Sequence, residues 1–184
     1  MDFIEVEAPL SLETTSLIRA GDWVLITGEL LTARDAAHKI LSEMIDQGKK
    51  LPFSLAGETI YYLGPTPPRP GRVIGSAGPT TSSRMDPYML SFLKAGARGF
   101  IGKGPRSLSI REMLVEFKGV YFATLGGAGA LLSRFIKEAK VIAFPNLGPE
   151  AVFRLRVVEF PALVIYDSFG GDLFEMKRKK EQGV

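Results

Sequence analysis

The run Trp23 to Leu31 constrains this chain most, because its apolar and β-branched residues read as a buried strand. Thr32 to Asp35 break it. Ala36 to Gln47 then place Ala37, Ile40, Leu41, Met44 and Ile45 on one stripe of an amphipathic helix, which Gly48 ends in the left-handed conformation. A buried strand handed directly to an amphipathic helix is the building unit of a layered α/β domain.

The rest of the chain extends that pattern. Phe3, Ile4 and Val6 alternate loosely in a short edge strand, Leu12 to Ala20 carries no clear period, and Gly21-Asp22 makes a turn. Thr59 to Leu63 is a second strand. Pro65, Pro67, Pro68 and Pro70 make Gly64 to Gly71 a rigid crossing loop. Further strands are expected at Arg72 to Ser76, Phe100-Ile101, Val120 to Leu125, Lys140 to Phe144, Ala151 to Phe160 and Ala162 to Asp167. Helices are expected at Tyr88 to Ala95, from a Ser109/Glu112 capping box to about Phe117, and at Ala130 to Ala139. Gly126-Gly127-Ala128-Gly129 lacks the third glycine of a dinucleotide fingerprint, since Leu132 stands there, so it reads as close packing rather than a cofactor turn. The sequence divides into one domain, 1–176, and a basic, frayed tail, 177–184.

Composition excludes several classes. Net charge is +3, and Lys177-Arg178-Lys179-Lys180 carries much of it, so the body is nearly neutral. Basic residues elsewhere are dispersed without an aromatic platform, which argues against nucleic acid. There is no cysteine, hence no disulfide and no thiolate for a cluster. No leader opens the chain, and no apolar run approaches the roughly 18 residues of a membrane span. These features predict a cytoplasmic protein with no membrane partner.

The chemistry gathers in Gly75 to Tyr88, Gly-Ser-Ala-Gly-Pro-Thr-Thr-Ser-Ser-Arg-Met-Asp-Pro-Tyr. Gly75, Gly78 and Pro79 punctuate a tight loop. Hydroxyl residues run from Thr80 to Ser83, Arg84 follows, and Asp86-Pro87 reads as an N-cap and first helical position. Backbone N–H groups, hydroxyls and a guanidinium at a helix start favour a small anion, although a polar surface loop has the same composition. Arg34 sits at a similar junction, where a cation is electrostatically disfavoured; a bound anion would resolve the oddity. Lys103 stands between Gly102 and Gly104, free of neighbouring bulk, in a spacing that is not a P-loop. Arg34, Thr80, Arg84 and Lys103 each follow a predicted strand, so the four are expected on one rim of a sheet, where three cations beside a hydroxyl suit a dicarboxylate.

The segment Gly78-Pro-Thr-Thr-x-x-Arg-Met-Asp86 resembles the C-terminal, or β, portion of the class I iron–sulfur fumarases and L-tartrate dehydratases. The resemblance also takes in Ala33 to His38, Gly102-Lys103-Gly104 with Arg106-Ser107, Gly126 to Ala128, Glu150 to Val152 and Phe160 to Ala162, in the family's order. It implies a swivelling β/β/α domain and the reversible hydration of fumarate to L-malate. It further implies a 4Fe-4S cluster whose open iron holds the substrate's carboxylate and hydroxyl. In the family that cluster is bound by cysteines of the α portion. This chain would then be a β subunit, colourless and inactive alone, joined to a cysteine-containing α subunit in two αβ pairs (α₂β₂). The resemblance assigns substrate binding to Arg34, Arg84 and Lys103. It assigns the proton-removing base to Thr80, which alternatively orients substrate while a partner group is the base. His38 (the only histidine), Thr81 and Asp86 stand behind them as orienting residues. Two other readings stay open: a tartrate dehydratase β subunit, and a non-catalytic anion-binding regulatory module.

Overall fold

The computed structural model describes residues 2–124 and 127–182. Its strands are β1 (Phe3–Ala8), β2 (Trp23–Thr32), β3 (Thr59–Tyr61), β4 (Gly99–Gly102), β5 (Val120–Ala123), β6 (Ile136–Ala143) and β7 (Val152–Tyr166). Its α-helices are α1 (Leu12–Leu17), α2 (Asp35–Asp46), α3 (Met89–Lys94), α4 (Leu108–Glu116), α5 (Gly129–Leu132) and α6 (Leu173–Glu181). Short 3-10 helices occupy Ser82–Tyr88, Ser133–Phe135 and Pro145–Glu150. The architecture is α/β.

The seven-stranded sheet runs β1-β2-β3-β4-β5-β7-β6, and β2 also pairs with β7. The pairings therefore close on themselves through β2, β3, β4, β5 and β7. The strands β1 to β5 are mutually parallel, while β7 is antiparallel to β2, β5 and β6. Two cores follow from strict alternation. Tyr61, Leu63, Ile101, Val120 and Phe122 belong to one core, with Val24, Ile26, Phe160 and Val164. Ile60, Tyr62, Phe100 and Tyr121 belong to the other, where Leu41 of α2, Phe92 of α3 and Leu114 of α4 meet them. Parallel strands joined by helices on one face put all their C-terminal ends on one rim.

Several expectations are corrected. Arg72 to Ser76 is not a strand but a series of bends, with Val73 exposed. Asp86 does not cap a helix; it lies inside the 3-10 segment, with Pro87, and its carboxylate is engaged by Arg106. The α4 N-cap is Ser107, so the Ser109/Glu112 box is misplaced by a few residues. Only Gly129–Leu132 of the helix expected at 130–139 is α-helical, and the chain from Ile136 joins β6. The two C-terminal strands are one, continuous through Pro161, with Glu159 at φ +53° beside the register irregularity against β2. Lys177 to Lys180 lie on α6, which runs to Glu181 and is capped by the Asp172 side chain. Gly126 lies outside the described residues. Close packing holds at Gly129, where an added Cβ would stand 2.8 Å from the Gly78 nitrogen.

Candidate active site

Arg34 follows the end of β2, and Lys103 follows the end of β4. Thr80 reaches the same rim by a different route from the expected one. The loop after β3 returns on itself, through an isolated bridge between Leu63 and Pro79, and lays Thr80–Ser82 between the ends of β3 and β4. Thr80 N donates to Tyr62 O (2.7 Å), Lys103 N to Thr80 O (3.3 Å) and Ser82 N to Lys103 O (2.9 Å). Thr81 and Lys103 form a parallel bridge. The loop thus acts as an inserted piece of strand, and it makes Thr80, Thr81 and Lys103 immediate neighbours.

The arginines form the second half of the rim, and they are not free. Arg84 grips Asp35 with two bonds, Nε to Oδ1 at 2.9 Å and Nη2 to Oδ2 at 2.7 Å. Arg34 Nη2 lies 3.4 Å from Glu150 Oε1 and 3.9 Å from Asp35 Oδ2. Glu150 Oε2 also accepts from the Ala36 N–H at 2.9 Å, at the start of α2. A carboxylate of the protein itself thus stands beside Arg34 and also satisfies the N-terminus of α2. Arg34 Nε is buried with no hydrogen-bond partner among the described residues.

Beneath the rim lies a buried polar layer. Asp86 Oδ1 accepts from Arg106 Nε at 2.6 Å, and the Arg106 side chain is 0% exposed. Arg106 Nη1 donates to the Tyr62 hydroxyl (3.2 Å), which donates in turn to Met89 Sδ (3.3 Å). Arg106 N donates to the Tyr166 hydroxyl (3.1 Å). His38 is buried one turn into α2; its Nδ1–H donates to Arg34 O (3.0 Å) and its ring stacks on Phe92 at 4.4 Å. Burial holds its pKa down to about 4, so the ring is neutral and serves as packing behind Arg34 rather than as a proton carrier.

All the residues singled out in the sequence lie on this rim or directly behind it. Thr80, Thr81 and Lys103 are one group, and Arg34 and Arg84 a second, joined through Asp35. Sequence reasoning missed Asp35 and Glu150 as partners and gave Arg106 no role. Glu150 is 114 residues from Ala36, and only the fold makes them meet. An enclosed apolar hollow is lined by Trp23, Ala123, Thr124, Leu131, Pro161 and Leu163, and of the singled-out residues it includes none. The rim itself is open, with Thr81, Arg84 and Lys103 exposed.

Comparison with known proteins bears on what the rim does. A family model described as Fumarase C-terminus matches residues 2–177. The chain is 38% identical over 156 residues to fumarate hydratase 2 of Leishmania major, covering 84% of this chain and 28% of that protein. It is 37% identical over 158 residues to the anaerobic class I fumarate hydratase of Escherichia coli (strain K12), covering 85% of this chain and 29% of that one. It is 36% identical over 177 residues to a putative L(+)-tartrate dehydratase subunit beta of Methanocaldococcus jannaschii, covering 93% of this chain and 91% of that one. The chain thus spans less than a third of these two fumarate hydratases and nearly all of the tartrate dehydratase subunit.

Proposed function

Because the chain belongs to the fumarase C-terminus family, we propose that it is the β subunit of a two-chain hydro-lyase that interconverts fumarate and L-malate. The observation that carries the reading is the Thr81–Lys103 bridge, which sets a hydroxyl residue beside a cation on the rim that also holds Arg34 and Arg84. Dehydration of malate takes a proton from the carbon beside one carboxylate and a hydroxyl from the next carbon. Thr80 is the group on this chain that receives or relays that proton. Lys103 and the two arginines hold the carboxylates, and Asp86, Thr81 and His38 keep them in place.

Magnitudes make the exchange of partners at Arg84 reasonable. Its side chain is 49% exposed and that of Asp35 is 32% exposed, and such a surface pair contributes about 0–1 kcal/mol. Charge-assisted bonds to a substrate carboxylate contribute roughly 1.5–3 kcal/mol. Arg84 can therefore trade Asp35 for a substrate once a partner chain covers the rim.

The chain's own residues do not fit a 4Fe-4S cluster. It has no cysteine, and the described residues hold no cluster of three or more His, Cys, Asp or Glu side chains suited to a metal. On this reading the cluster belongs to a cysteine-bearing α subunit, the active site lies between the chains of an α₂β₂ assembly, and this chain alone is inactive. No helix among the described residues is long and apolar enough to cross a membrane, and the assembly is assigned to the cytoplasm. The tartrate reading keeps the same cations; the match along 91% of a putative L(+)-tartrate dehydratase subunit beta favours it as the second choice.

The test is anaerobic coexpression with a cysteine-containing candidate partner, cluster reconstitution, and assay on fumarate, L-malate and L-tartrate side by side. Turnover of fumarate and malate by the pair, and by neither chain alone, is the expected result. Turnover of tartrate instead changes the substrate and keeps the site. A pair inert on all three substrates contradicts the reading and leaves an anion-binding module.

A further inference from the structure

The Tyr121 hydroxyl is buried beneath the rim and touches no candidate substrate-binding group, yet it joins the two chain segments that carry Thr80 and Lys103. It donates to Gly104 O at 2.8 Å, which spends its single proton. The 2.8 Å contact with Ser82 Oγ must then have serine as the donor. Ser82 and Tyr121 are both 0% exposed, and Gly104 is half-buried. Burial raises the tyrosine pKa, and the group remains a donor at neutral pH.

The surroundings fit a latch. Gly102 makes room for it: an added Cβ there would stand 2.0 Å from Ser82 Oγ. Gly104, at φ +83°, turns its carbonyl back onto the hydroxyl, in a conformation that favours glycine. The Tyr121 ring stacks on Tyr166 at 5.5 Å, and the Arg106 guanidinium lies 5.3 Å from its centroid. The ring is therefore held by packing as well as by its hydroxyl.

We propose that Tyr121, with Ser82, is a positioning residue that clamps the Gly102-Lys103-Gly104 turn to the Thr80–Ser82 segment and so sets where the Lys103 ammonium stands relative to Thr80. This rests on the rim being the substrate site. The backbone ladder holds Lys103 itself to the Thr80–Ser82 segment, through Lys103 N and Lys103 O. The Tyr121 hydroxyl holds the residue that follows, at Gly104. Without it the chain pivots at Gly104 and the ammonium samples more positions. Lys103 acts by binding, so the loss falls on KM rather than on kcat.

Tyr121→Phe removes the hydroxyl and keeps the ring. In the assembled, cluster-loaded enzyme it is expected to raise KM for the dicarboxylate about three- to tenfold, the worth of one or two buried hydrogen bonds, with kcat changed less than about twofold. Ser82→Ala is expected to act in the same direction. Ser168→Ala is the control; it removes a buried hydroxyl bonded to Thr15 O at 2.8 Å and should lower Tm while leaving KM unchanged. An unchanged KM in Tyr121→Phe, or an equal rise in Ser168→Ala, overturns the proposal. Amide hydrogen exchange on the full chain separates this from failure of the hydro-lyase reading. In Tyr121→Phe the Ser82 and Lys103 amides are expected to exchange at least about threefold faster, with those of β2 unchanged. Exchange at the wild-type rate refutes the latch whatever the enzyme's substrate.

Discussion

Arg106 with Asp86 and Arg84 with Asp35 are the same chemical pair placed in two settings. Arg106 is fully buried against a partner that is 19% exposed, while Arg84 is 49% exposed against one that is 32% exposed. Arg84 and Asp86 stand two residues apart on one 3-10 segment, yet one faces the rim and the other faces inward. Burial decides the role. A cation out of water cannot leave its partner without a large penalty, so Arg106 fastens the segment to β3 and β4. A cation in water gives up its partner cheaply, so Arg84 remains available to a ligand.

The most forceful way to break this comparison is Arg106→Ala, which strands Asp86 and is expected to cost about 3–5 kcal/mol of unfolding free energy in urea titration. A loss below about 1 kcal/mol would mean that the buried pair is not a fastener. His38, on the buried side, gives a pH-dependent version. Its pKa is about 4 in the native protein against an ordinary value of 6.5. Its contribution to stability is full above 6.5, falls as the unfolded chain takes up a proton, and is exhausted near pH 4, a loss of roughly 3 kcal/mol. Glu58 works in the opposite direction: burial raises its pKa from 4.5 to about 6, so its contribution is full below 4.5 and lost as pH rises through 6. Comparing wild type with His38→Gln cancels Glu58 and should leave the histidine slope alone; parallel pH curves would refute a buried neutral ring.

The exposed side predicts small numbers. Asp35→Asn should change the unfolding free energy by less than about 1 kcal/mol. It should also strengthen binding of a dicarboxylate to the assembled enzyme, because Arg84 no longer has to leave an ionised partner. Weaker binding in that variant would mean that Asp35 orients Arg84 rather than competing for it.

The sequence made much of this legible, and the misses share a cause. β2 and α2 could be read because their apolar periods are local. The order of motifs pointed to Arg34, Thr80, Arg84 and Lys103, and the parallel sheet explains why residues so far apart share a rim. Residues 130–139 looked helical because Leu131, Leu132, Phe135 and Ile136 have helical spacing, but Ile136–Ala143 gain a ladder with β7 that no local window contains. Pro161 suggested a break between two strands, and pairing with β2 carries the strand through it. Glu150 as the cap of α2, Asp86 as the partner of Arg106 and Tyr121 as a latch all depend on long-range neighbours. The proposed rim residues were readable from the motifs around them; the partners that hold them were readable only from the fold.

The most direct measurement is steady-state turnover of Thr80→Ala and Arg84→Ala in the assembled, cluster-loaded enzyme. The rim account predicts a split. Thr80→Ala loses about 100-fold or more in kcat with KM near the wild-type value, as loss of a proton-transfer group requires. Arg84→Ala weakens substrate binding by about tenfold or more and alters kcat less. Near-normal turnover in Thr80→Ala would contradict the account at its centre, because Thr80 would then be a loop residue and nothing more.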